Sequence, residues 1–390
     1  MMNCYKTAAT VGDHMFFSLF KSRTINRRLP NTKPFLSRSQ SQAAESSSEA
    51  SPGQHTADKP RLRAIDLARK VRQEKARTRT EQTEPPVSAM QQRVMELKRF
   101  SLQLQNVHPN VLAKHLHKNL LYQDKDVVII NKPYGVPVRE DSGVTSITSV
   151  LPVLSKMLDG LKVKNDSNLL PCLSLEKDST GVLLLARSEA AAENILDLSR
   201  NNQLERRYWV ITVGVPVPSE GLIDIPIIER EVSSPQPHFK MTLSPLYRMN
   251  EAGEKLTKVR GHRQAHPAVT KYRVLDSSYG CSLVELQALT GVKHQMRVHM
   301  AYALGCPILG DHKYSHWSKL APQKLPEGVL KKLGLEQTKS RHLPLHLHAR
   351  HLVLPGHSGS DVSTSCPLPK YFIKTLNRLR LTFPEDKNNK

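Results

Sequence analysis

Five short runs constrain what this chain can fold into. Residues 127–130 and 182–186 are continuous apolar stretches of strand length, and read as strands buried on both faces. Residues 208–213, 269–275 and 282–289 are rich in β-branched and aromatic side chains. In the last run Leu283, Glu285 and Gln287 alternate with Val284, Leu286 and Ala288, so one face is the more buried. Ser188 can cap a helix from Glu189 to about Leu198, because its hydroxyl can accept from a free backbone N–H. Strands outnumber helices and do not alternate with them regularly. This argues against a doubly wound fold and predicts an α+β domain with a mixed, largely antiparallel sheet and flanking helices.

The strand-rich region begins near Leu120. Upstream the chain has a different character. Residues 1–44 carry seven basic residues and a single acid, Asp13, with scattered Ser and Asn, and read as a mitochondrial transit peptide. Residues 45–60 are rich in Ser, Ala, Glu and Pro and read as linker. Basic residues recur densely over 61–79 until Pro85-Pro86, and Val94, Leu97, Phe100, Leu102 and Leu104 form a second helical pattern. The expected organisation is a transit peptide over 1–44, a linker and basic helical extension over 45–118, a folded domain over 119–375 and a tail over 376–390. Polar segments at 249–266 and 315–341 read as surface loops.

Only 38% of the 390 residues are hydrophobic, which fits a chain with part of its length outside the core. No apolar run is long enough for a membrane-spanning helix. The formal net charge is +22, with +12 in residues 1–118 and +10 in the rest. A surplus this large points to an anionic partner, first of all nucleic acid. The five cysteines are widely spaced without a C-x-x-C pair, which indicates neither a zinc ribbon nor a disulfide framework. His342, His346, His348 and His351 cluster, but no Cys or carboxylate completes a recognisable metal site, and no metal is expected.

Three segments carry the candidate chemistry. They are Ile129-Ile130-Asn131-Lys132-Pro133-Tyr134-Gly135, Leu173-Ser174-Leu175-Glu176-Lys177-Asp178-Ser179-Thr180-Gly181, and Thr290-Gly291-Val292-Lys293-His294-Gln295-Met296-Arg297-Val298-His299. The third is followed by Gly305-Cys306-Pro307-Ile308-Leu309-Gly310-Asp311 and Tyr314. Taken singly, each has a plain structural reading. Glu176 could pair with Lys177 in a surface loop, and Tyr208 could be a cross-strand aromatic. Arg297 could pair with Asp311, and Lys132, Pro133 and Gly135 could make a tight turn.

Taken in order, the segments resemble the RluA-type RNA pseudouridine synthases. Their patterns are N-K-P-x-G, then H-R-L-D-x-x-T-S-G, then T-G-R-x-H-Q-I-R-x-H and G-x-P-I-x-G-D-x-x-Y. Arg207-Tyr208, Gly221-Leu222-Ile223 with Pro226-Ile227, and Leu347-His348-Ala349 add smaller matches, so the resemblance covers roughly 119–375. With the transit-like N terminus, the chain is most similar to a divergent mitochondrial branch of that family. The family aspartate position holds Glu176, its preceding His and Arg are Leu173 and Ser174, and the Arg of T-G-R is Val292.

The resemblance implies a mixed sheet with helices around it and a central RNA cleft. It implies conversion of uridine to pseudouridine without cofactor or metal. Glu176, Tyr208 and Arg297 are the implied catalytic residues: carboxylate, base-packing tyrosine and carboxylate-holding arginine. Lys132, Arg207, Lys293, His294 and Gln295 are the implied RNA contacts. The implied setting is the mitochondrial matrix, acting on messenger RNA or 16S-type ribosomal RNA, with ribosome-assembly or RNA-granule proteins as further partners. A second reading keeps the fold and the RNA without turnover, as an RNA-binding or ribosome-assembly factor.

Overall fold

The structure, a computed structural model, describes residues 65, 68–73, 88–104, 107–139, 144–160, 169–232, 237–244, 247–249, 256–258, 262–356 and 361–383. The chain divides into units at 1–78 and 79–390. In the first, residues 68–73 are helical. The expected transit peptide, the linker, most of the basic run and half of 249–266 lie outside the described residues.

In the second unit the helices are α1 (Ala89–Leu102), α2 (Pro109–Lys118), α3 (Ile147–Asp159), α4 (Glu189–Arg200), α5 (Gln295–Val298), α6 (Glu327–Leu333) and α7 (Lys370–Leu379). The early strands are β1 (Leu120–Gln123), β2 (Val127–Lys132), β3 (Leu170–Pro171), β4 (Thr180–Ala186), β5 (Glu205–Val213) and β6 (Glu220–Asp224). Two short ribbons follow, β7 (Ile227–Val232) with β8 (His238–Leu243), and β9 (Tyr247–Met249) with β10 (Leu256–Lys258). The last strands are β11 (Val269–Ser278), β12 (Cys281–Ala288), β13 (Leu347–Leu354) and β14 (Val362–Ser365).

Ten of these strands form one sheet in the order β1-β2-β4-β13-β5-β12-β11-β6, with β3 on β4 and β14 on β13. All five runs singled out by pattern are strands of this sheet. Its pairings are antiparallel except β4 with β13, which are parallel through His348 opposite Thr180 and Ala349 opposite Gly181. That junction explains Gly181: a Cβ there would lie 2.2 Å from the Ala349 carbonyl oxygen, and its φ is +110°.

The alternation on β5 and β12 separates two cores. Tyr208, Val210, Val284 and Leu286 join one cluster with Leu112 and Leu116 of α2 and Leu154 of α3. Trp209, Ile211 and Leu283 join the other with Leu97 of α1, Leu333 of α6 and Phe372 of α7. Side chains of successive strand residues point to opposite faces, so the two clusters occupy the two sides of the sheet. The Ser188 cap forms as expected, its hydroxyl accepting from the Ala191 N–H at the start of α4.

Two expected boundaries move, and one expected loop is partly helical. The break at 119 falls inside the folded body, because Leu112, Ala113 and Leu116 are fully buried and Leu97 is 2% exposed. The break at 375 cuts α7, whose Leu376 and Leu379 are buried. Segment 315–341 is more than a loop, since Val329 and Leu333 on α6 enter the core. In each case a few apolar side chains among many charged ones were enough to dock a helix, and the polar majority hid them. Among the described residues no helix is long and apolar enough to cross a membrane.

Candidate active site

The first two sequence motifs form one unit around a buried lysine. Lys132 ends β2 with no exposed surface, and its Nζ donates to the carbonyls of Pro133, Lys177 and Ser179 at 3.0, 3.0 and 2.8 Å. Three acceptors match the three N–H bonds of an ammonium group. Burial nonetheless pushes its pKa down to about 7, while Asp178 and Glu176 pull it back up. The Gly135 N–H donates to the Lys177 carbonyl, and the Ser179 N–H and hydroxyl both donate to that of Glu176. The loop before β4 is thereby pinned to the Asn131–Gly135 turn, and it carries Glu176 as a fixed side chain.

The third motif is held by Gln295. Its Oε1 accepts from the Thr290 hydroxyl and the Val292 N–H, and its Nε2 donates to the Val269 carbonyl and the Thr270 hydroxyl. His294 sits just before α5 at φ 57°, a conformation a non-glycine residue rarely adopts. This geometry sends Arg297 inward toward two carboxylates. Its Nε and Nη2 donate to Asp311 Oδ2 and Oδ1 at 2.8 and 2.7 Å, and its Nη1 donates to Glu176 Oε2. Burial opposes the charge on Arg297, but Glu176 and Asp311 outweigh it and hold the guanidinium firmly protonated. Burial also pushes the Asp311 carboxyl up, and the Arg297 charge with its hydrogen bonds outweighs that and lowers it.

Asp311 is itself a constructed feature. Its Oδ1 accepts from the Lys313 and Tyr314 N–H groups at 3.1 and 3.0 Å. The preceding Gly310 has φ +83°, and a Cβ there would lie 2.0 Å from the Pro344 carbonyl oxygen. Tyr314 lies under Arg297, with the guanidinium carbon 5.0 Å from the ring centre, and shares a 2.5 Å hydrogen bond with His294 Nδ1. His294 Nε2 is 3.7 Å from Glu176 Oε2. Burial, with Arg297 beside it, pushes the His294 pKa down to about 3. The imidazole is therefore neutral and adds no positive charge beside the carboxylate.

Glu176 and His294 line two adjoining cavities. One, about 610 Å³, is also lined by Tyr208, Arg206, Leu173, Ser174 and Val292. The other, about 660 Å³, is lined by Arg297, Tyr134, Lys177, Lys313 and Arg341. Both are of the size that holds small ligands. Tyr208 is 4% exposed and lies between Leu286 of β12 and Ala349 of β13.

Glu176 and His294 thus line both cavities, with Tyr208 on one and Arg297 on the other. The other expected RNA contacts do not behave alike. Lys132 and Gln295 are corrected to buried scaffold, since every polar group named above is engaged inside the protein. Arg207 is corrected to the opposite face of the sheet: it follows Arg206 and precedes Tyr208 on β5, pairs with Glu205, and lines a separate cavity with Lys271 and Arg273. Lys293 is exposed and pairs with Glu229 at 3.0 Å. The residue missed was Arg206, whose Nη1 is 3.5 Å from the Tyr208 hydroxyl. Strand parity could have found it, because positions 206 and 208 share a face.

The clustered histidines pack. His346 contacts the Leu309 carbonyl and the Thr375 hydroxyl, and His348 contacts Thr180 and the Cys366 carbonyl. Among the described residues no three His, Cys, Asp or Glu side chains are placed to hold a metal.

Residues 126–302 match the family described as RNA pseudouridylate synthase. The chain belongs to that family of RNA-modifying isomerases. It is 58% identical over 324 residues to the Danio rerio pseudouridylate synthase RPUSD4, mitochondrial, covering 83% of this chain and 90% of that one. It is 32% identical over 302 residues to the Mus musculus mitochondrial mRNA pseudouridine synthase Rpusd3, covering 72% and 83%. The solved human RNA pseudouridylate synthase domain containing 4 matches with a TM-score of 0.63 at 51% identity, covering 71% of this chain and 98% of that chain.

Proposed function

We propose that this chain converts specific uridines of mitochondrial RNA to pseudouridine in the matrix. On this reading messenger RNA and 16S-type ribosomal RNA are the substrates, and mitochondrial translation is what the modification supports. The observation that carries the proposal is the Glu176–Arg297–Asp311 cluster opening on the cleft lined by Tyr208. The relatives' mitochondrial names support the setting.

The reaction breaks the bond between N1 of the base and C1′ of the ribose. The base turns, C5 bonds to C1′, and the proton lost from C5 is balanced by one gained at N1. The target nucleotide must first leave its stack, at a cost of about a few kcal/mol. On this reading Tyr208 packs on the extruded base and assists removal of the C5 proton. As N1 leaves, C1′ becomes electron-poor. Glu176 meets it, either by stabilising its charge or by a bond to C1′ that breaks again as C5 bonds there. Two carboxylates share one guanidinium here and His294 is neutral, so the cluster keeps surplus negative charge where the sugar turns cationic. Arg297 holds Glu176 in position, Arg206 faces the same cavity, and Lys313, Lys177 and Arg341 offer cations at the adjoining one.

The test is a map of pseudouridine across mitochondrial RNA in cells lacking the protein, restored with wild type or Glu176→Gln at matched levels. Sites restored only by wild type support the proposal. Equal restoration by both removes Glu176 from the chemistry. No dependent sites, with translation restored by both, would instead establish an RNA-binding factor on the same fold.

A further inference from the structure

The loop that follows Asp311 presents a tryptophan that the chemistry above does not use. Its two arms, His312-Lys313 and Leu320 to Pro322, line the cavity shared by Glu176 and Arg297. Trp317 lies on the stretch between them and is 51% exposed. An exposed indole on a wandering loop would carry no message, but this one is held. Tyr302 packs edge-on against it, with ring centres 4.7 Å apart. The backbone on both sides is tied down by Lys240 of β8, whose Nζ donates to the carbonyls of His316 at 2.7 Å and Lys319 at 2.8 Å. His316 Nδ1 accepts from the N–H groups of Ser318 and Lys319, closing the turn. Lys240 is 2% exposed, so a cation is buried to fix the loop that displays the indole.

We propose that Trp317 is a stacking platform for an unpaired base of the RNA substrate, close to the uridine that enters the cleft. The inference rests on the RNA-modifying reading and adds a subsite to it. Three properties select a nucleobase as the occupant. The surface is a flat aromatic with open area, it sits on the loop whose two arms line the cleft, and Lys313 and Lys319 on that loop offer charge to the flanking phosphates. Stacking tolerates any base, so the platform would hold the strand without reading its sequence.

The test uses a short RNA spanning a pseudouridine site that depends on this protein. Trp209 is 5% exposed, so RNA should quench chiefly Trp317 fluorescence. Trp317→Ala should weaken binding about 5- to 150-fold, the range of one base–aromatic stack. Trp317→Phe should keep most of the affinity, and the single-turnover rate at saturating RNA should not change in either variant. A series of RNAs, each with one abasic position, locates the partner: one position should weaken wild type while leaving Trp317→Ala indifferent. The proposal is overturned if Trp317→Ala binds as wild type, or if every abasic position that weakens wild type weakens Trp317→Ala by the same factor. Either result with normal conversion leaves the enzyme reading standing, whereas wild type that neither binds nor converts RNA removes both.

Discussion

Arg297 touches two carboxylates, and they live in different surroundings. Asp311 has no exposed side-chain surface and accepts two hydrogen bonds from Arg297 and two from backbone N–H groups. Glu176 is a quarter exposed, meets Arg297 and His294 through Oε2 alone, and lines both cavities. The two groups share a chemical type but not a job. Asp311 spends its acceptors on placing the guanidinium. Glu176 is placed by it and faces the space where a substrate would sit. A cation fixed from behind can orient a reactive carboxylate in front, without asking that carboxylate to hold the fold together.

This contrast can be broken at several points. Arg297→Ala should do the most damage, stranding both carboxylates. Removing one partner of a buried pair costs about 3–5 kcal/mol, which chemical denaturation should show together with lost conversion. Asp311→Asn should cost about 2–3 kcal/mol, because it weakens hydrogen bonds to a charged group. Conversion should fall as Arg297 loses its buttress, while Glu176→Gln should leave the denaturation midpoint nearly unchanged.

Glu176→Asp tests reach rather than charge. It draws the carboxylate back by up to about 1.5 Å, one methylene, and a misplacement of that order costs about 10²-fold in rate. Single-turnover conversion should therefore drop by that factor, even though aspartate is the family's usual residue.

Acid should act on the scaffold. Burial holds His346 down at about 4 and His348 and His294 at about 3, against an ordinary 6.5. Between 6.5 and those values the unfolded chain takes up protons that the folded chain refuses. Each histidine then lowers stability by about 1.4 kcal/mol per pH unit. Asp311 adds its own loss only as pH falls below its ordinary value of 3.8. Denaturation midpoints measured between pH 7 and pH 4 should fall, and His348→Gln should flatten the slope. The smallest effect belongs to Arg207→Ala, which should leave conversion unchanged, since that side chain lies on the far face of the sheet.

The sequence made the site's parts legible because their order was intact. The patterns at 173–181 and 290–299, with the smaller match at Arg207-Tyr208, picked out Glu176, Arg297 and Tyr208, and in the structure Glu176 lies on both of the cavities that the other two line. The sequence also weighed Asp311 as a plain partner for Arg297. In the structure Arg297 holds both Asp311 and Glu176, so the two readings are compatible. Direction was harder. Lys132 and Gln295 look like surface polar residues in a string of letters, and only the carbonyls around them reveal scaffold. Arg207 and Arg206 are neighbours, and strand parity alone separates the far face from the cleft. The helical pattern through Leu97 was legible, but not that α1 docks on the folded body; in α7, Leu376 sits among charges that composition averages away.

The most direct measurement compares wild type with Glu176→Gln in a single-turnover assay on an RNA spanning a dependent site, with affinity measured in parallel. The expected result is conversion lost by about 10³-fold or more, within the range enzymes supply, with RNA affinity and denaturation midpoint unchanged. Conversion by Glu176→Gln at the wild-type rate would contradict the assignment of Glu176 as the carboxylate that meets the sugar.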